Sequence, residues 1–223
     1  MYRTIVADPP WPYATPGKGP LAAATKTNPE KWRRPLSGPG SRARYGAMSL
    51  EEISGLNVRG VVEDDAHLYL WTTNAFVVQA HAVARAWGFR PITLITWTKT
   101  MKEDATKPSM GTGFYFRGAT EHVVFGVRGS LKLQTSRGIS TAFLHPRTPH
   151  SVKPDAFFAL VEECSPGPYL EMFARRVRPG WALFGNQAPG AVSLTQAPCQ
   201  DARNAGASST GATAVTWTAP PER

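Results

Sequence analysis

The chain reads as one three-layer α/β domain, and three observations lead there. Short apolar runs rich in β-branched residues recur at 4–7, 66–71, 91–98, 121–127, 169–173 and 181–184, with helical patterns between several of them. Residues that start and stop helices stand at the expected places between those runs. At 223 residues, the chain is long enough for a single domain with a substantial core.

The first run, Thr4-Ile5-Val6-Ala7, reads as a buried strand that Pro9 and Pro10 cannot continue. Asp8 therefore stands at a strand's carboxyl end, where open α/β sheets place their ligands. The Pro-Pro pair also leaves nearby carbonyls without partners in the sheet. An acceptor side chain, free carbonyls and the indole of Trp11 together suit a planar molecule with an amino group, an amino nucleobase foremost. The same four residues also read as a strand end followed by a Pro-rich turn with a packed Trp.

Residues 12–44 form a long irregular segment with Lys18, Lys26, Lys31, Arg33, Arg34, Arg42 and Arg44 against the single acid Glu30. A loop of this length inside a compact domain is usually functional or disordered. Its cations, with Trp32 beside Arg33 and Arg34, suit phosphate contact and base stacking. Ser49 and Glu52 then make a capping box for a short helix reaching about Leu56. Residues 66–71 are a strand, and Asn74 is expected to cap the helix after it. That helix has an apolar face of Val77, Ala80, Ala84 and Trp87 and stops at Gly88. Residues 91–98 are the next strand, and a second loop fills 99–119. The 121–127 strand follows, with a weaker one at 141–144. Residues 150–155 open a helix to about Cys164, with Pro154 at or near its first position. The strands 169–173 and 181–184 close the pattern. From Ala188 to Arg223 the composition turns to Ala, Gly, Thr, Ser and Pro, which predicts a disordered tail.

Lys and Arg number 25 against 16 acids, a formal charge of +9, which favours a polyanionic partner and nucleic acid first. Cys164 and Cys199 offer neither a disulfide framework nor metal-ligand spacing, as expected of a reducing cytoplasm. The five histidines form no metal pair at helical spacing; His67 and His81 are expected to serve their own strand and helix. No secretory core or membrane-length run is present, so the expectation is a soluble protein without membrane or metal. Phosphate-binding Gly-x-x-x-x-Gly-Lys-Ser/Thr and Gly-x-Ser-x-Gly elbow motifs are absent.

Taken together and in order, the motifs resemble the MT-A family of adenine N6-methyltransferases. That family includes the catalytic subunit of the mRNA N6-methyladenosine writer and many bacterial and phage DNA enzymes. The shared set is Asp8-Pro9-Pro10-Trp11, Tyr45-Gly46-x-Met48-Ser49-x-Glu51-Glu52, Leu70-Trp71-Thr72-Thr73-Asn74, Trp87-Gly88-Phe89, Ile95-Thr96-Trp97-x-Lys99, Glu121-His122, His150-Ser151-x-Lys153-Pro154, Glu171-x-Phe173-x-Arg175 and Gly185-Asn186-Gln187. It implies a Rossmann-like S-adenosyl-L-methionine-dependent fold with permuted motif order over residues 1–187. It implies that Asp8, Pro9, Pro10 and Trp11 are catalytic, with Asp8 and the Pro9 carbonyl accepting from the adenine amino group and Trp11 stacking on the base. Lys153 would meet the cofactor's carboxylate, Arg175, Asn186 and Gln187 its ribose and adjoining groups, and Glu171 would lie in or organise that loop. Tyr45 would sit beside cofactor and substrate. Neither metal nor covalent intermediate is needed.

Two departures from the family stand out. Its larger members hold the cofactor's adenine with a segment before the catalytic strand, whereas Asp8 here follows only seven residues. That contact is expected to be missing or supplied from elsewhere. The 175–185 stretch is also short and has no His-Asn pair, leaving Arg176 or Arg178 as candidates near the ribose. The expected substrate is adenine in DNA, by analogy with compact bacterial and phage enzymes. RNA and a non-catalytic nucleic-acid-binding role on the same fold are the alternatives.

Overall fold

A computed structural model describes residues 1–13, 47–111, 115–135, 137–149 and 152–185. Most of the basic 12–44 loop and the whole 188–223 tail lie outside the described residues. The elements are β1 (Tyr2–Ala7), α1 (Leu50–Ser54), β2 (Val62–Thr72), a 3₁₀ turn (Asn74–Phe76), α2 (Val77–Ala86), β3 (Arg90–Thr100), β4 (Thr120–Arg128), β5 (Ala142–Pro146), α3 (Asp155–Cys164), β6 (Tyr169–Met172) and β7 (Trp181–Phe184). Every expected strand is present, and β2 and β3 are longer than their apolar runs.

The strands form one seven-stranded sheet in the order β5-β3-β4-β2-β1-β6-β7. Pairing is parallel between β1 and β2, β1 and β6, β6 and β7, and β3 and β5; β4 runs antiparallel to both neighbours. The reason lies in the connection. A loop without a crossover helix joins β3 to β4, and a direct return of that kind lays the second strand antiparallel beside the first.

Side chains on the two sheet faces form separate cores. One contains Ile5, Ala7, Leu68 and Leu70 packed with Ile53 of α1 and Ala80, Val83 and Ala84 of α2. The other contains Val6, Tyr69, Trp71, Trp97 and Val123 packed with Phe157, Phe158 and Val161 of α3. Alternate residues of β1 and β2 thus feed opposite layers, which is the three-layer arrangement the alternation of elements predicts. The capping box forms as expected: Ser49 Oγ accepts from Glu52 N–H at 3.1 Å and Glu52 Oε2 from Ser49 N–H at 2.6 Å. Gly88, at φ +87°, ends α2, and the Trp87 indole beside it donates to Ile53 O at 3.0 Å.

Asn74 does not cap a helix. The residue before the 3₁₀ turn is Thr73, without a side-chain cap, and Asn74 Oδ1 instead accepts from His122 Nε2 of β4 at 2.6 Å. A partner distant in sequence outcompetes the local bond. Strand β6 ends at Met172 because Phe173 turns to φ +64°, a conformation a non-glycine residue seldom adopts. His67 and His81 serve their own elements: His67 bonds Ser165 and Leu131, and His81 Nδ1 donates to Val77 O. No described helix is long and apolar enough to cross a membrane.

Candidate active site

The connections leaving β1 and β6 run in opposite directions along the sheet, one toward β2 and one toward β7. Adjacent parallel strands that diverge in this way leave a crevice at their carboxyl ends. Asp8 follows β1 and Glu171, Met172 and Phe173 close β6, and all four line one pocket there. Its remaining wall includes Val6, Trp71, Phe158, Lys153, Arg175 and Arg176.

Lys153 organises the charge in this crevice. It sits just before α3, and its Nζ lies 3.1 Å from Asp8 Oδ2 and 3.0 Å from Glu121 Oε2. Lys99, near the end of β3, reaches Glu121 Oε1 at 2.5 Å. The result is an alternating row, Asp8–Lys153–Glu121–Lys99, with every side chain a quarter exposed or less. Lys153 also lies over the Trp71 ring, 4.9 Å from its centroid. Burial alone would lower the Lys153 pKa, but the Asp8 and Glu121 carboxylates carry it above the ordinary value. Burial alone would raise Glu121, and the Lys153 and Lys99 ammonium groups hold it below the usual carboxylate range.

Strand β4 contributes here only because it is antiparallel. Its first residues reach the edge where the parallel strands end, and Glu121 pairs in register with Trp97. His122, pairing with Thr72 and Thr96, is the link to Asn74. With Nε2–H donating to Asn74, His122 Nδ1 is left to accept from Thr96 Oγ1 at 3.0 Å. Burial holds this imidazole below its ordinary pKa, with the Glu121 charge opposing the shift.

The Asp8-Pro9-Pro10-Trp11 turn uses its own polar groups. Trp11 N–H donates to Pro9 O at 2.9 Å, and Met48 N–H to Pro10 O at 3.0 Å. The carbonyls expected to be free are therefore engaged, though each keeps a second lone pair. The Trp11 indole is 4% exposed, donates to Trp71 O at 3.0 Å and stacks on Phe76 with centroids 5.5 Å apart.

On the β6 side, Glu171 Oε2 and Arg178 Nε form an ion pair 3.7 Å apart but no hydrogen bond. Both atoms are buried without a hydrogen-bond partner among the described residues. Burial raises the Glu171 carboxyl, and the Arg178 and Arg176 charges offset this only in part. Arg176 and Arg178 both bond Asp155 at the start of α3, and the Arg178 guanidinium lies 3.5 Å from the Phe158 ring centroid. Gly185, after β7, lies so close to this loop that a Cβ there would meet Ala174 O at 2.7 Å and Ala174 N at 2.9 Å. Because both obstacles are backbone, Gly185→Ala is expected to cost about 1–3 kcal/mol, read as a lower midpoint in urea unfolding.

Of the residues singled out from the sequence, Asp8, Lys153, Glu171 and Arg175 come together on one pocket. Pro9 and Pro10 form the turn after Asp8, and Trp11 is buried in the core of Ile5 and Leu70, whereas the pocket's Val6, Trp71 and Phe158 belong to the other core. Trp32, Arg33, Arg34, Tyr45, Asn186 and Gln187 lie outside the described residues. Sequence reasoning passed over Glu121 and Lys99 as site residues; the only signal was their place in the Glu121-His122 and Trp97-x-Lys99 motifs. No group of three or more His, Cys, Asp or Glu able to hold a metal occurs among the described residues.

A family model described as MT-A70 matches residues 2–187. The chain is 29% identical over 150 residues to the human N(6)-adenosine-methyltransferase catalytic subunit METTL3, covering 66% of this chain and 26% of that protein. A Medicago truncatula protein described as a putative N(6)-adenosine-methyltransferase MT-A70-like is 30% identical over the same length, 24% of it covered. The Type II methyltransferase M.MunI of Mycoplasma sp is 29% identical over 194 residues, covering 84% of this chain and 78% of that enzyme. The chain thus spans about a quarter of the length of the N(6)-adenosine-methyltransferases it matches.

Proposed function

The chain belongs to the MT-A70 family, and on that footing we propose that it moves a methyl group from S-adenosyl-L-methionine to the N6 amino group of adenine in nucleic acid, with DNA preferred over RNA. The observation that carries this reading is the Asp8 carboxylate at the switch point of the sheet, held by Lys153 on the wall of a pocket. Coverage of 84% of this chain by the alignment with M.MunI, against 66% with METTL3, supports a compact modification enzyme and hence DNA.

The pocket suits this cofactor in the chemistry of its donors. It offers cationic groups for a carboxylate, a buried carboxylate oxygen without a hydrogen-bond partner among the described residues, and apolar walls from Val6, Trp71 and Phe158. Lys153 is the group for the methionine carboxylate; Glu171, Arg175, Asn186 and Gln187 are those for the ribose and its surroundings. When bound, the cofactor supplies a methyl group already activated by its sulfonium.

The protein's task is to align and enrich a weak nucleophile. The lone pair of an adenine amino group is delocalised into the ring. Asp8 Oδ2 is tied to Lys153, which leaves Oδ1 to accept one N–H, while the second lone pair of the Pro9 carbonyl accepts the other. Both bonds favour a pyramidal, electron-rich nitrogen. As the nitrogen gains positive charge, the Asp8 carboxylate, already fixed in place, stabilises it without reorganisation. Lys153 keeps Asp8 aimed, and Glu121 with Lys99 keeps Lys153 aimed. Within a duplex the base must first leave the stack.

The test is expression in a methylation-deficient host, followed by single-molecule sequencing of its DNA and labelled transfer to DNA and RNA in vitro. Methyladenine at a defined DNA motif is the expected result. Unmodified DNA together with methylated RNA would reverse the preference, and no adenine methylation in either polymer would overturn the activity.

A further inference from the structure

Trp11 is the aromatic residue of the catalytic turn, yet the fold has already committed both its polar atom and its surface. Its Nε1–H bonds the Trp71 carbonyl, and its ring stacks on Phe76 at an interplanar angle of 15° within the core layer that holds Ile5 and Leu70. At 4% exposure it has almost no face left to offer a base. Two residues on, Tyr13 is 54% exposed. Its N–H donates to Trp11 O at 2.9 Å, which folds the chain back over the turn. Its ring and that of Phe76 meet in a T-shaped contact, with centroids 5.0 Å apart and 87° between planes, and its hydroxyl bonds Thr73 Oγ1 at 2.9 Å. Trp11 thus lies buried, Phe76 stacks on it, and Tyr13 touches Phe76 while remaining more than half exposed. Burial of the phenol, with the nearby Glu121 and Asp8 charges adding to it, pushes the Tyr13 pKa up. Tyr13 stands five residues after Asp8, whose carboxylate would receive the amino group.

We propose that Tyr13, and not Trp11, supplies the aromatic face against which the target adenine rests, with Trp11 and Phe76 as its buried support. This rests on the adenine-methylating reading above and assigns within it the residue that orients the base. A planar base held by its N6 amino group on Asp8 still needs a surface to fix its tilt. Tyr13 is the exposed aromatic of this turn, and its Thr73 bond and Phe76 contact keep it from swinging away.

The experiment uses the full chain and an oligonucleotide carrying the adenine that the wild-type protein is found to methylate. Tyr13→Ala is expected to raise KM for the oligonucleotide about tenfold or more, with the dissociation constant for S-adenosylmethionine unchanged by calorimetry. Tyr13→Phe, which keeps the ring and loses the Thr73 bond, should restore KM to within about threefold of wild type, as expected where the stacked ring dominates. With 2-aminopurine in place of the methylated base, fluorescence should be quenched by wild type and Tyr13→Phe and bright with Tyr13→Ala. An active wild-type protein with unchanged KM and quenching in Tyr13→Ala overturns the stacking role alone. Equal loss of cofactor affinity and melting temperature in Tyr13→Ala, without the fluorescence change, assigns Tyr13 to the fold and also overturns it. A wild-type protein inactive on adenine in DNA and RNA overturns the activity and the stacking role together.

Discussion

Asp8→Ala is expected to lower the rate constant for methyl transfer to adenine by about 10²–10³-fold, the usual effect of removing one preorganised group at the reacting centre. Cofactor binding should survive, because Lys153 keeps Glu121 as a partner when Asp8 is gone. Asp8→Asn is the sharper variant. It preserves the size of the side chain and one acceptor oxygen but removes the charge that faces the nitrogen, so a comparable loss assigns the effect to charge and a small loss assigns it to hydrogen bonding. Single-turnover transfer of a labelled methyl group reads the chemical step directly, and calorimetry with S-adenosylmethionine reads binding. A labelled product formed at the wild-type rate by Asp8→Ala would remove Asp8 from the mechanism.

The second large effect is at Lys153. Replacement by Met fills the volume but leaves the Asp8 and Glu121 carboxylates facing one another across a lost cation. Breaking a pair of this kind by removing one partner costs about 3–5 kcal/mol. The melting temperature should fall with it, and binding of S-adenosylmethionine should fall independently. A double variant separates the two roles. Lys153→Met with Asp8→Asn removes the charge that has lost its cation, Glu121 keeping Lys99, so stability should recover in part while cofactor affinity stays low. Recovery of both would make Lys153 a structural residue only. The pH dependence follows from the same cluster. The folded-state pKa of Glu121 lies below 4.5, so its charge stabilises the fold above that value and the contribution is lost as pH falls through the folded pKa. Acidification below pH 4.5 should therefore destabilise the wild-type protein more than Glu121→Gln, measured as the urea midpoint across pH.

Much of this site was legible in the amino-acid order because the residues that make it stand at element ends. Asp8 is readable as a strand-end carboxylate since two prolines stop β1 directly after it, and Lys153 is readable beside Pro154, which opens α3. The capping box at Ser49 and Glu52 is equally local and formed as expected. Asn74 is the instructive failure. Its side chain is as good a cap as any by type, but its Oδ1 is taken by His122, 48 positions away. Trp11 shows the same limit. Its residue type suits stacking, and only the tertiary packing shows that it stacks on Phe76 and donates its indole N–H to Trp71 O.

The sequence by itself determined the α/β layering, the strand ends, the family resemblance and the places of the Asp-Pro-Pro-Trp turn at a strand end and of Lys153 near a helix start. Those are properties of local periodicity, of proline's missing donor and of motif order. The tertiary structure decided the direction of β4, and with it the composition of the charged row. Had β4 run parallel like its neighbours, Glu121 would lie at the opposite edge of the sheet from Asp8. Strand direction is set by how the chain returns across the sheet and by which neighbours it pairs with, and neither is written in the residues of the strand itself.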